Sequence, residues 1–298
     1  PFRQNLPITP ITDLAVHRGD LVVATQGRSF WILDDLSVAR QLTPAVARTV
    51  ADGELHLFDP RPAYQLNVRG FGGSRAPEGP PRGAVLHFSA PLDGARLEIL
   101  NATGEMVRVW ADTAGDAQGA VSTAGAGDGA GRIWTGEVEE LQVEAGVNRF
   151  VWDLQVPGPE IQEGAVMSLG YTGGAWAPPG MYTVRLSAGG QVVERTLELR
   201  PDPRLPQLDP AELVETFELT LAVRDAVTEV HDAIARLRAA RDQVCATAAR
   251  VEEARGADAP AARAVREQAD TIAAALTAVE EELIPVSYTH LRAHETVL

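Results

Sequence analysis

Residues 180–199 read GMYTVRLSAGGQVVERTLEL. Two alternating runs of apolar and polar residues flank Ala188-Gly189-Gly190, and this pattern predicts two antiparallel strands joined by a tight turn. Similar runs lie upstream, at residues 84–89, 95–100, 106–110 and 146–153, with a Gly/Ala-rich loop over 114–131. Six or so short strands with turn signals between them predict an antiparallel β-sandwich over residues 83–203.

A separate strand pattern occupies residues 1–45. Three short alternating runs, Ile11–Val16, Leu21–Thr25 and Ser29–Leu33, are joined by turn residues such as Arg18-Gly19-Asp20. Because two or three strands are marginal on their own in water, we expect this piece to need neighbours that the chain lacks. The stretch that follows, 46–82, is rich in Pro and Gly in its second half and is interpreted as a connector.

Residues 207–285 have a helical pattern. Asp209-Pro210 followed by Glu212 is typical of a capped helix start, and 255–260 contains Gly256 and Pro260, which predict a stop and a restart. Apolar residues then recur at three- and four-residue spacing on both predicted helices. The first row consists of Val223, Val227, Val230, Ile234, Leu237, Val244 and Val251, with Arg241 and Ala248 in its gaps, and the second of Val265, Ala269, Ile272, Leu276, Val279 and Leu283. So short a loop predicts an antiparallel helical hairpin.

The tail, 286–298, is set apart from these regions. Its residues 286–296 read VSYTHLRAHET and resemble a translated sequencing-library adaptor. We therefore expect this tail to be extraneous and the natural protein to continue past Ile284, with the chain an internal fragment. The expected fold class is mostly β with an α-helical tail.

The composition excludes several classes of function for this protein. The chain has 298 residues, 45% of them hydrophobic, and a net charge of −15, which disfavours nucleic acid as a partner. All 26 basic residues are Arg, so Schiff-base and phosphate-loop lysine chemistry is excluded. The single Cys245 cannot form an internal disulfide, and no metal-ligand spacing is found among the histidines. No apolar run is long enough to span a membrane, and no cofactor is expected.

Three stretches carry a family resemblance. Residues 20–35, DLVVATQGRSFWILDD, resemble the last blade of the β-propeller in bacterial proteins related to sortilin, often called BNR-repeat glycosyl hydrolases. Members commonly have His where this chain has Gln26, and the sialidase Asp-box is absent. The strand series over 95–186 resembles the immunoglobulin-like module of flagellar hook-capping proteins, and residues 217–234 resemble the helical tail of the propeller family. The resemblance implies a partial propeller blade, an Ig-like β-sandwich and an extracytoplasmic location, periplasmic or secreted.

Few residues are candidates for chemistry. Trp176 lies in a predicted flexible loop, where packing explains an aromatic residue less readily, and it is the candidate ligand or partner contact. Trp110 and Trp152 fall in strand patterns and are interpreted as core. Asp34-Asp35 is interpreted as a strand-ending turn rather than an acid–base pair, because consecutive strand residues point to opposite sides. His231 and the charged residues after it are interpreted as a solvated helix surface, and Cys245 as a small, semi-buried helix residue.

Two hypotheses about function remain open. In the first, the chain is the non-catalytic C-terminal portion of an exported propeller protein and serves in binding, docking or scaffolding, with a protein or carbohydrate partner and the missing blades of its own parent. In the second, the parent is a glycoside hydrolase whose active site lies upstream and this chain is an accessory region.

Overall fold

The computed structural model describes residues 6–66, 81–112, 138–162 and 173–283. The chain forms two compact units, one made of residues 1–157 and 175–218 and the other of 158–174 and 219–298. A β-rich N-terminal region with several sheets, among them a curled half-barrel, precedes two long packed helices, as the sequence predicts at this level. The tail over 286–298, residues 67–80 of the expected connector and the Gly/Ala-rich loop over 114–131 lie outside the described residues.

The first sheet has the three predicted strands, β1 (Ile11–His17), β2 (Asp20–Thr25) and β3 (Phe30–Leu33). They pair antiparallel in the order β1-β2-β3. Arg18 and Gly19 both have positive φ, at 49° and 90°, which is the backbone of a two-residue type I′ hairpin turn. Of the residues in these strands, only Val23 is buried.

The prediction of a connector over 46–82 is wrong for its first half. Residues 37–64 form two helices, α1 (Ser37–Gln41) and α2 (Pro44–Ala51), and two short strands, β4 (His56–Leu57) and β5 (Ala63–Tyr64). Leu55, Leu57, Phe58 and Ala63 are buried, so this stretch belongs to the core and does not lie across a surface. Strands of two residues are too short to show periodicity in a sequence, which is why the pattern missed them.

Two further sheets contain the remaining strands. These are β6 (Ala84–Ser89), β7 (Arg96–Leu100), β8 (Met106–Ala111), β9 (Glu139–Glu140), β10 (Asn148–Trp152), β11 (Gly180–Ala188) and β12 (Gln191–Arg200). One sheet has the order β10-β6-β4 and the other the order β5-β12-β11-β7-β8-β9. All pairs are antiparallel except β12–β5 and β8–β9, which are parallel.

Aromatic side chains join these two sheets. The Trp110 and Phe150 rings meet edge to face with centroids 4.6 Å apart, and the Trp152 and Tyr182 rings do so at 5.6 Å. Trp152 is fully buried, and other buried residues of the two sheets are Leu86, Phe88 and Leu97. Trp110 and Trp152 are therefore core residues, as their strand pattern predicts.

The helices follow the predicted boundaries. Helix α3 (Pro210–Arg255) starts after Asp209, whose side chain accepts the Ala211 N–H at 2.9 Å. It ends before Gly256, whose φ is +84°, and α4 (Pro260–Leu283) begins four residues later. Ion pairs between the helices, Arg238–Glu280 at 2.7 Å and Arg266–Glu252 at 2.8 Å, fix their antiparallel register.

The predicted contact rows of the hairpin are partly wrong. On α3 the row from Ile234 to Val251 is buried or half-buried, as expected. On α4 the inward row passes instead through Ala262, Val265, Ala269, Ala273 and Leu276 to Glu280. Ile272, Val279 and Leu283, which the prediction placed inward, are exposed. Alanines occupy three of the six inward positions, and a search for large apolar residues does not detect them.

Candidate functional site

Trp176 lies in an isolated β-bridge opposite Gln155. The Val156 N–H donates to the Ala175 carbonyl at 3.0 Å, and the Ala177 N–H donates to the Leu154 carbonyl at 2.8 Å. The neighbours Ala175 and Ala177 are buried, whereas Trp176 itself is half-buried. The sequence predicts a flexible loop here, but hydrogen bonds hold the backbone on both sides of the indole.

A polar cluster adjoins this bridge through the Gln155 carbonyl. That carbonyl accepts hydrogen bonds from Arg108 Nη1 at 3.3 Å and from Trp152 Nε1 at 3.0 Å. Arg108 is ion-paired with Glu139 and lies 5.5 Å from the centre of the Trp110 ring. Glu139 Oε2 also accepts the Trp110 indole N–H at 3.0 Å. We call Arg108, Trp110, Glu139, Gln155 and Trp176 the Trp176 site.

The chemistry of the Trp176 site suits binding better than acid–base catalysis. Both oxygens of the Glu139 carboxylate already accept hydrogen bonds from protein donors, so the group is occupied by structural contacts. The indole that contacts both the guanidinium and the carboxylate is that of Trp110, which is buried, whereas Trp176 adjoins the cluster through its bridge to Gln155.

Sequence reasoning selects Trp176 as a candidate contact but does not predict the Arg108–Glu139 pair next to Gln155. Arg108 lies in a strand between Val107 and Val109, and Glu139 lies next to Glu140. Neither position has a local signature, because 31 residues separate Arg108 from Glu139 and the pair forms only when β8 and β9 align in parallel. A lone Arg inside an apolar strand is the one signal that points to a buried partner.

The Asp34-Asp35 pair has a structural role at Asp35. Its side chain accepts the Ser37 N–H at 2.8 Å, and its own N–H donates to Asp20 Oδ1 at 2.9 Å. Its φ is +64°, as in a turn. Asp34 is exposed, and the two acids do not form a shared acid–base site.

His231 differs from its interpretation as part of a solvated surface. It is buried, and its Nδ1 accepts the Gln162 N–H at 3.4 Å. The neighbouring Glu160 N–H donates to Thr228 Oγ1 at 3.1 Å, so residues 158–162 cover this face of α3. Farther along the helix, Arg238 and Arg241 bind Glu280 of α4 instead of their own neighbours.

The remaining candidates stay apart from one another. Cys245 is exposed on α3, where the sequence predicts a semi-buried residue. Trp31 is half-buried and donates its indole N–H to the Arg28 carbonyl at 2.9 Å. Within the described residues, no group of three or more His, Cys, Asp or Glu side chains is placed to hold a metal ion.

Comparison with known proteins provides no family assignment. No family model, curated protein or solved structure matches this chain. In the described part of the chain, no helix combines the length and the apolar character required to cross a membrane.

Proposed function

We propose that this chain is the non-catalytic C-terminal portion of an exported bacterial sortilin-like β-propeller protein, and that it serves in binding, docking or scaffolding. The observation that carries the proposal is the N-terminal sheet. The pairing register places Leu14, Val23 and Trp31 on one face and Ala15, Val22 and Ile32 on the other. Both faces of this three-stranded sheet therefore carry apolar side chains, and the second face also has Asp13, His17 and Asp20.

A solvated antiparallel sheet alternates apolar and polar residues, so that one face meets water. Here Phe30 and Ile32 are 72% and 61% exposed on one face, and Leu14 and Val16 are exposed on the other. A sheet of this kind needs another layer against each face. A propeller blade lies between two neighbouring blades, which is the arrangement that covers both faces. The sequence resemblance of residues 20–35 points to the same architecture.

An immunoglobulin-like β-sandwich over residues 83–203 is the second part of the proposal. Its support is the pair of sheets joined through Trp110, Phe150, Trp152 and Tyr182. The Tyr182 hydroxyl also donates to the Pro178 carbonyl at 2.6 Å, four residues upstream, as in the tyrosine corner of such sandwiches.

The binding role rests on the Trp176 site. A half-buried indole on a hydrogen-bonded backbone is a preorganised contact for a protein or carbohydrate partner.

We also propose an extracytoplasmic location, which the family resemblance supports.

Hydrogen exchange tests the blade assignment. In the purified chain, the amides of β1, β2 and β3 should exchange much faster than those of β11 and β12, because every residue of the first sheet except Val23 is exposed or half-buried. A hydrophobic dye should bind the chain, and Phe30→Ser should weaken that binding without lowering the melting temperature. Val192→Ser is the control, since Val192 is an exposed apolar residue of β12. Equal protection of the two sheets would contradict the proposal.

A hydrolysis assay separates this function from the alternative, an accessory region of a propeller glycoside hydrolase. The chain should release no sugar from a panel of glycosides. Turnover that survives repurification and disappears in Asp34→Asn would show catalytic chemistry in this chain and would overturn the non-catalytic assignment. Asp34 suits this test because it is exposed, whereas Asp35 has a structural role.

A further inference from the structure

The apolar row on α3 is longer than its partner helix. From Ile234 to Val251 the row lies against α4, with Ile234 and Ala248 buried. The same three- and four-residue spacing continues toward the N-terminus through Val230, Ala226, Val223 and Leu219. The row therefore extends over roughly three further turns of helix.

Helix α4 ends before it reaches this extension. The Arg238–Glu280 and Arg266–Glu252 pairs place Leu283, the last residue of α4, about level with residue 235 of α3. Beyond that point no described helix lies against the row, and Leu219 and Val223 are 66% and 56% exposed. Two large apolar side chains thus face solvent on the same side of α3 that packs against α4 farther along the helix.

The opposite face of the same segment is already covered. Leu221, Arg224 and His231 are buried, and residues 160 and 162 bond to Thr228 and His231. The segment over 158–162 therefore occupies a different face from the one that Leu219 and Val223 present. In the described part of the chain, Leu219 and Val223 are therefore left exposed.

Acidic side chains lie on the same turns of α3 as the exposed row. Asp225, Glu229 and Asp232 lie on this part of α3, and Glu281 and Glu282 are exposed at the nearby end of α4. The one Arg between residues 219 and 232 is Arg224, which is buried and lies 2.6 Å from Asp225. Glu229, Asp232, Glu281 and Glu282 are exposed at this end of the hairpin together with one basic residue, Arg236, so the net accessible charge of these described residues is negative.

We propose that Leu219, Val223, Ala226 and Val230 form a docking surface for an amphipathic helix of another protein, whose apolar row is flanked by Arg or Lys. The three- and four-residue spacing matches a helix, because a helical partner places its own apolar side chains at the same intervals. The acidic surroundings select basic flanks. A second copy of this chain would bring two acidic surfaces together, which disfavours self-association.

Two synthetic helices of about three heptads test the proposal. Both have Leu at the inward positions, and they differ in carrying Arg or Glu at the flanking positions. The Leu/Arg helix should bind the full chain, with an affinity that falls as salt is added, and the Leu/Glu helix should bind at least about tenfold more weakly. Equal binding of the two peptides would overturn the charge argument.

Single substitutions locate the surface. Val223→Ser and Glu229→Arg should each weaken binding of the Leu/Arg helix about tenfold or more, while Val192→Ser on β12, which removes an equally exposed apolar side chain, should leave it unchanged. Circular dichroism checks that all variants remain folded, as expected for exposed positions. Unchanged binding in Val223→Ser, or a dimer in sedimentation that this substitution dissociates, would refute the proposal.

Discussion

Arg61 and Asp20 are joined by an ion pair in which Arg61 Nη1 lies 2.7 Å from Asp20 Oδ1. Arg61 Nη2 also donates to the Arg18 carbonyl at 2.8 Å, so one guanidinium holds both sides of the β1–β2 turn. Burial by itself raises the pKa of Asp20, yet the hydrogen bonds from the Asp35 N–H and Arg61, with the charge of Arg61, leave that pKa below its usual value. These contacts tie the exposed N-terminal sheet to residues beside β5.

Arg61→Ala should therefore loosen the first sheet. We expect a loss of about 1 kcal/mol, because the pair is partly exposed and screened by solvent. Hydrogen exchange should show faster opening of β1 and β2, while the amides of β11 and β12 keep their protection. Arg28→Ala removes a guanidinium from the same sheet, in the β2–β3 turn, and serves as the control. Equal exchange in the two variants would mean that the Arg61 contacts do not hold this sheet.

Glu280 should make the hairpin sensitive to acid. Burial raises its pKa, but the hydrogen bonds and charges of Arg238 and Arg241 outweigh this and lower it below the usual value. A lowered pKa in the folded state contributes stability that is present above the ordinary Glu value of about 4.3 and is lost as the pH falls below it. Thermal melts between neutral pH and pH of about 3 should show this loss. Glu280→Gln should reduce the pH slope and cost about 1 kcal/mol at neutral pH.

Gly83 should not tolerate a side chain. Its φ is +132°, and a Cβ atom at this position would lie 2.1 Å from the Trp152 carbonyl oxygen. Gly83→Ala should cost about 3 kcal/mol, because both the backbone conformation and the pairing of β6 with β10 would be strained. Gly104→Ala is the control, since its φ is +82° but no atom lies within 4 Å of the added Cβ. That change should cost only about 1 kcal/mol, as measured by denaturant unfolding.

Phe217 should contribute strongly to stability. Phe217 and Leu221 precede the part of α3 that lies against α4, and both are buried. Phe217→Ala should cost about 3 to 5 kcal/mol, since a large cavity would replace the ring. Ala274→Ser, at an exposed position of α4, should be nearly neutral. Equal and negligible losses would mean that this end of the helix is not held by packing.

The strand and helix order was largely readable from the sequence. The runs that became β6, β7, β8, β10, β11 and β12 alternate over five or more residues, which is long enough for a period of two to stand out. Asp209-Pro210 marked the start of α3 and Gly256 its end. Both signals are local, because helix capping and a positive φ depend on the type of the residue at that position. The same methods missed β4, β5 and β9, since two residues carry no period.

The candidate site was harder to predict. Trp176 was found because an aromatic residue among Gly, Ala and Pro is unusual. Its setting was not predicted, because the bridge to Gln155 and the Arg108–Glu139 pair join segments far apart in the chain. The buried state of His231 was likewise invisible, since it depends on residues 158–162 lying against α3.

The sequence by itself determined the β-rich region, the helical hairpin and the turns between their strands and helices, because these depend on interactions among residues close along the chain. Only the tertiary structure decided that β5 pairs in parallel with β12, and that Arg61 reaches Asp20. It also decided that Ala273 and Glu280 face α3 while Ile272 and Val279 face solvent. The physical reason is that burial depends on the distance and angle at which two segments meet, and a helix that approaches closely through alanines turns its larger side chains outward.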